Sequence, residues 1–159
     1  MKILFKFIFF FIISFSKKKR FIILSPNLTF FKFYKVLVYD KKDKSFFTYL
    51  IRDQYDYITL EEIFFYECYK IENIEKYEES TNDQIKLIID CGSNIGCSTN
   101  YFLNTYKNSK VVSIEPDPNN FNCLTKNVRN SNAILVNNAV SNEKINFEIK
   151  NSEANINDN

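Results

Sequence analysis

Both glycines of this chain, Gly92 and Gly96, fall in one short stretch, LIIDCGSNIGCST (87–99), and glycine occurs nowhere else in 159 residues. Glycine enters left-handed backbone without penalty and lets a second backbone or a ligand approach closely. A sequence that keeps glycine only here marks this turn as the place where the chain must bend most sharply. The flanks say what the turn joins. IKLII (85–89) is a short apolar run ending in Asp90, and beyond the glycines Thr99, Phe102, Leu103 and Tyr106 recur at helical spacing. VVSIE (111–115) reads as a second buried strand. Pro116, Asp117 and Pro118 then open a helix with Phe121, Leu124 and Val128 on one face, and AILVN (133–137) reads as a third strand. Strand, helix, strand, helix, strand implies parallel pairing through right-handed crossovers. The expected fold is α/β, a Rossmann-like doubly wound parallel sheet preceded by a small β and helical segment.

In that architecture ligands bind beyond the carboxyl ends of the strands. Gly92 then provides the tight turn, Gly96 lets the helix start pack closely, and amides at the helix N-terminus face a carboxylate or hydroxyl. An acid at the end of the second strand is placed to accept both hydroxyls of a ribose. Glu115 follows Gly96 by 19 residues, against the ~20 typical of such sites. The spacing discriminates among adenosine cofactors. Dinucleotide sites show GxGxxG, whereas this turn is DxGxxxG, with Ser93, Asn94 and Ile95 between the glycines and no third glycine after them. A nicotinamide-dependent Rossmann protein is therefore the alternative.

Within this frame, IIDCGSNIGCST, VVSIEPDPNNF and ILVNNAVSN resemble the FkbM family of class I S-adenosylmethionine-dependent methyltransferases, and DQYDYITLEEIF resembles the segment that precedes the core in that family. The resemblance implies that Asp90, Gly92, Ser93, Asn94 and Gly96 surround the methionine portion of S-adenosylmethionine. It implies further that Glu115 holds the ribose diol, Pro116 borders the adenine, and Asn138 and Ala139 close the pocket. The implied reaction is O-methylation of a hydroxyl on a sugar or natural-product scaffold, the acceptor being a small molecule or glycan. The family also carries an Asp-x-Glu-Gly strand later in its sheet, which this sequence lacks. A domain truncated after its third core strand, with little or no turnover, is the corresponding expectation. No catalytic base is assigned.

The remaining sequence divides into an apolar and basic segment (1–24), a β-hairpin plus helix (25–84), the partial cofactor-binding core (85–149) and a polar tail (150–159). KINFEI (144–149) reads as an additional strand. FFKFYKVLVY (30–39) and FFTYLI (46–51) read as hairpin strands joined across KKDK. TLEEIFFYECYKIENI (59–74) has helical spacing, with Thr59 and Glu62 in a capping-box relation.

The net charge of +2 conceals a partition. Residues 1–44 carry eleven Lys or Arg against two acids, and residues 53–90 carry eleven acids against three lysines. The basic end could meet an anionic surface or pair with the acidic segment of its own chain. Its basic residues gather around an apolar run and not along a reading element, so nucleic acid is not expected. The run from Ile3 to Phe15 is shorter than the ~20 residues that span a bilayer, and residues 1–20 read as a peripheral membrane anchor ahead of a signal or a packed extension. A noncatalytic membrane-associated fragment is the second alternative. Four cysteines lack CxxC spacing and histidine is absent, which disfavours a zinc site and removes the base that serine and cysteine hydrolases use. No metal and a reduced, cytoplasmic setting are expected.

Overall fold

The structure, a computed structural model of the chain, describes residues 19–24, 34–71, 74, 76–77, 84–143 and 146. The anchor expected over 1–20 lies outside them except for Lys19 and Arg20, as do the tail and nearly all of KINFEI. The chain runs β1 (Phe21–Leu24), β2 (Tyr34–Asp40), β3 (Ser45–Ile51), α1 (Gln54–Leu60), a π-helical turn (Glu61–Phe65), β4 (Leu87–Cys91), α2 (Cys97–Thr105), β5 (Lys110–Ile114), α3 (Pro118–Asn127) and β6 (Ala133–Val136).

Among the described residues two three-stranded sheets form. The first is antiparallel in the order β1-β2-β3, with Ile23 opposite Val38 and Val38 opposite Phe47. Alternation puts Phe21, Val36, Val38, Tyr49 and Ile51 on one buried face. The second is parallel in the order β4-β5-β6, with Ile89 beside Val112 and Val112 beside Ile134. The expected α/β alternation is present as this half-sheet, compatible with a Rossmann-like fold.

Because β4, β5 and β6 advance in one direction, right-handed crossovers put both connecting helices on the same face. There Val111 packs with Leu103, Leu124 and Val128, and Ile88, Ala133 and Leu135 join them. The far sides of α2 and α3 meet the antiparallel sheet and the π turn, where Phe21, Tyr49, Phe64, Ile95, Cys97, Tyr101 and Cys123 form one core. Phe64 sits at its centre, its ring 5.0 Å from Phe21 and 5.3 Å from Tyr49. Helix α2 is thus sandwiched, which explains why Thr99, Tyr101 and Leu103 are all buried.

Two elements differ from the sequence expectation. The helix expected from Thr59 to Ile74 begins earlier and ends earlier. Asp53 caps it, accepting from the amides of Tyr55 and Asp56, while Thr59 sits inside the helix and donates its hydroxyl to the Tyr55 carbonyl. The π turn widens the last turn enough to bury Ile63, Phe64 and Phe65 in succession, and Glu67, at φ 53°, takes the chain out of it. Strand β1 carries no signature of its own, since FIIL merely continues a Phe-rich run.

Within the basic segment, the described residues Lys19 and Arg20 have partners inside the chain. Arg20 donates to both oxygens of Asp40, to Thr105 Oγ1 and to the Asn104 carbonyl, and Lys19 lies 5.3 Å above the Phe65 ring. Arg20 thus ties the amino-terminal strand to β2 and to the end of α2, while Lys19 meets the π turn. No helix among the described residues is long and apolar enough to cross a membrane.

Candidate functional site

At the carboxyl ends of the parallel strands the glycine turn folds back over β5. The amides of Gly92 and Ser93 both donate to the Ile114 carbonyl, at 2.8 and 3.0 Å, and the Gly96 amide returns to Ser93 O at 2.8 Å. Closing so tight a turn takes three residues into left-handed backbone, Gly92 at φ 84°, Asn94 at 47° and Gly96 at 92°. Asparagine tolerates that region and glycine is indifferent to it.

The two glycines are required for different reasons. A Cβ built on Gly96 would lie 2.7 Å from Val128 Cγ2 and 2.8 Å from Leu124 Cδ1, so this glycine lets the start of α2 seat against α3. A Cβ on Gly92 would meet nothing within 4 Å. Gly92 is exposed, and open space stands over the turn there.

Asp90, at the end of β4, is 7% exposed and turned toward α2. Its Oδ2 accepts from the hydroxyls of Ser98 and Thr99, at 2.8 and 2.7 Å, and the Thr99 hydroxyl also contacts Ser113 Oγ on β5. Ser93 is buried, its hydroxyl donating to the Asp90 carbonyl. These side chains hold the turn's shape from below.

Glu115 follows β5 and is 5% exposed. Its Oε2 accepts from the Asn94 amide at 2.8 Å, and its Oε1 accepts from the Asp117 amide at 2.9 Å and from Asn120 Nδ2 at 3.3 Å. The turn and the strand-end acid are therefore one hydrogen-bonded unit. The Asn120 carbonyl accepts from Arg52 Nη2 at 2.8 Å. Arg52 is itself held by Asp56, with Nε on Oδ2 and Nη2 on Oδ1, and this carboxylate raises the guanidinium pKa still further above its ordinary value.

The structure brings Asp90, Gly92, Ser93, Asn94, Gly96, Glu115 and Pro116 into one site. Asn138 and Ala139, just beyond β6, lie at the same edge of the sheet, where Asn138 is exposed and its side chain accepts from the Ala139 amide. Asn137 makes the connection to the acid, its amide donating to the carbonyls of Glu115 and Pro116 at 2.7 and 3.2 Å. Asn137, Asn120, Arg52 and Asp56 belong to the same network without a sequence signal that marks them as part of it. The i,i+4 relation of Arg52 and Asp56 was visible, but nothing in the sequence announced that it would face a helix 68 residues later.

Elsewhere the chemistry is sparse. Cys97 and Cys123 are buried, and burial pushes both thiols up, Cys97 far out of reach of ionisation. Among the described residues no group of His, Cys, Asp or Glu could hold a metal ion. A groove of about 290 Å³ beside Asp43, Thr105 and Lys107 lies at the amino ends of the parallel strands, opposite the glycine turn. Neither a scan of protein-family models nor searches of curated proteins and solved structures returns a match.

Proposed function

We propose that the Gly92–Gly96 turn and Glu115 form the adenosyl-binding part of an S-adenosylmethionine site in a doubly wound domain of FkbM methyltransferase type. The observation that carries the reading is the pairing of a buried strand-end carboxylate with a left-handed glycine turn. Glu115 Oε2 holds the Asn94 amide at 2.8 Å while Gly92, next to it, opens on empty space. The resemblance of 88–99, 111–121 and 134–142 to that family supports the choice of cofactor, and the absence of GxGxxG counts against a dinucleotide.

The donor set suits an adenosyl group. A carboxylate offers about four acceptor positions, and Glu115 uses three on its own chain. Oε2 carries one donor, the Asn94 amide, and keeps one acceptor position that a ribose hydroxyl could take. Gly92 admits the ligand's backbone-side approach because no Cβ stands there. Asp90 and Ser93 do not reach outward, and their part is to keep the turn in shape.

When bound, the cofactor supplies an electrophilic methyl on a sulfonium, for transfer to a hydroxyl of a sugar or natural-product acceptor. The protein's work is then to hold and align. Among the carboxylates at the turn, Asp90 Oδ2 is engaged by two hydroxyls, Glu115 by three donors and Asp117 Oδ1 by the amides of Asn119 and Asn120. The activity proposed for these residues is binding and orientation.

Calorimetric titration with S-adenosylmethionine and, separately, with a nicotinamide dinucleotide tests the reading. Saturable binding of the first alone is expected, weakened at least about tenfold by Glu115→Ala, the scale of a lost bond to a charged group. Preference for the dinucleotide, or equal binding by the Glu115→Ala protein, would overturn it.

A further inference from the structure

Asn120 occupies the place on Glu115 that a second ribose hydroxyl needs. Oε1 carries two donors, the Asp117 amide and Asn120 Nδ2, whereas Oε2 carries the Asn94 amide alone. A ribose diol gripped by both its hydroxyls therefore finds one position open and one taken. Of the three donors, the two backbone amides are fixed by the turn and by the start of α3. The Asn120 amide, at 3.3 Å, is the longest contact and the one that can leave.

Its orientation is also fixed from outside the parallel sheet. A guanidinium has donors only, so the Asn120 atom facing Arg52 Nη2 at 2.8 Å must be the carbonyl oxygen, and the NH₂ must then face Glu115. Arg52 cannot turn away easily, because Asp56, 3% exposed, accepts from its backbone amide, from Nε and from Nη2. A chain of bonds thus runs from α1 to the strand-end acid.

We propose that Asn120, oriented by Arg52 and Asp56, is a positioning residue that competes with the ligand's second ribose hydroxyl for Glu115, so that it sets both nucleoside affinity and discrimination between ribose and deoxyribose. The proposal rests on the adenosyl reading of Glu115. With Asn120 in place the acid holds one hydroxyl, which the proposal assigns to the 3′ position, and 2′-deoxyribose loses little. With Asn120 gone both hydroxyls engage, and the distinction sharpens.

The test measures binding of S-adenosylmethionine, adenosine and 2′-deoxyadenosine to the full chain and to its Asn120→Ala, Arg52→Gln and Asn122→Ala variants. Asn122 is exposed on the same helix and serves as the control. Asn120→Ala is expected to tighten adenosine by about tenfold, as expected for freeing a hydrogen-bond site on a charged group, and to raise the adenosine to 2′-deoxyadenosine ratio by a similar factor. Arg52→Gln should move both in the same direction by less, and Asn122→Ala should move neither. A ratio unchanged or lowered by Asn120→Ala, in a protein whose circular dichroism and melting curve match the parent, overturns the proposal while leaving the adenosyl site standing. If the parent chain and Asn120→Ala alike fail to bind any of the three ligands, the adenosyl reading itself is refuted.

Discussion

On one face of the parallel sheet Val111 and Ser113 have no exposure, whereas on the other Leu87, Ile89 and Ile134 are 55%, 59% and 51% exposed. The two faces come from the same three strands, and the exposed one is the more apolar, since the covered one includes Asp90 and Ser113, so composition does not account for the difference. Winding does. β4, β5 and β6 follow each other across the sheet in one direction, and both right-handed crossovers deliver their helices to one side. Parallel strands ordinarily have both faces covered. The near-continuous apolar runs of this chain, IKLII and AILV, are written for two-sided burial, and the described residues supply one side. A doubly wound sheet acquires its second layer of helices only where strand order reverses.

The largest effects belong to the covered side. Gly96→Ala combines a left-handed φ of 92° with a Cβ 2.7 Å from Val128 and 2.8 Å from Leu124, and should cost about 3 kcal/mol or more. Gly92→Ala, with open space around the Cβ, meets only the backbone penalty, about 1–2 kcal/mol. Chemical denaturation of the two variants reads the difference directly, and equal losses would mean that α3 does not seat against the turn as described. Leu124→Ala, in the same contact, should cost about 2–5 kcal/mol.

Alkaline pH probes the other half of the covered side, where the antiparallel sheet meets α2. Burial raises the Tyr49 phenol well above 10 and that of Tyr101 to about 12. An unfolded phenol ionises near 10 while these stay neutral, so the stability these two phenols contribute is intact below pH 10 and is lost as pH climbs from there toward 12. Tyr49→Phe should move the alkaline midpoint of unfolding upward; a midpoint that stays put or falls would contradict the assignment.

Much of this arrangement was legible in the sequence. Period and punctuation placed β4 through β6, both helices between them and the hairpin, because each is a local pattern of apolar residues set off by Gly, Pro, Asp or Asn. The glycine turn and Glu115 were legible for the same reason. What local pattern could not supply was anything settled by a distant partner. Helix α1 is capped by Asp53 and not by Thr59, since Asp53 accepts from the Tyr55 and Asp56 amides and the Arg52–Asp56 pair braces that first turn. Asn127, whose side chain bonds Leu50 N and O and Ile95 O, clasps β3 to the glycine turn, yet it reads in sequence as one asparagine among many. The role of Gly96 was half legible: close packing was expected, but its partners, Leu124 and Val128, emerge only when α3 is laid against α2.

The smallest expected effect gives the sharpest test of the two faces. Val111 and Val112 are consecutive residues of β5, both paired in the parallel ladder, with Val111 fully buried under α3 and Val112 on the opposite face between Ile89 and Ile134. Valine to threonine keeps the branched shape and the strand preference and changes one methyl to a hydroxyl. At Val111 the hydroxyl would sit among Leu103, Leu124 and Val128, a loss of about 1–3 kcal/mol. At Val112 water can reach it, and the change should fall within about 0.5 kcal/mol. Cys91, exposed on that same face, offers an independent reading, since a thiol reagent should label it in the folded protein while Cys97 stays protected. Comparable losses at the two valines, together with a Cys91 that resists labelling, would show that the second face is covered in solution, and the dependence of both signals on protein concentration would then tell whether another copy of the chain covers it.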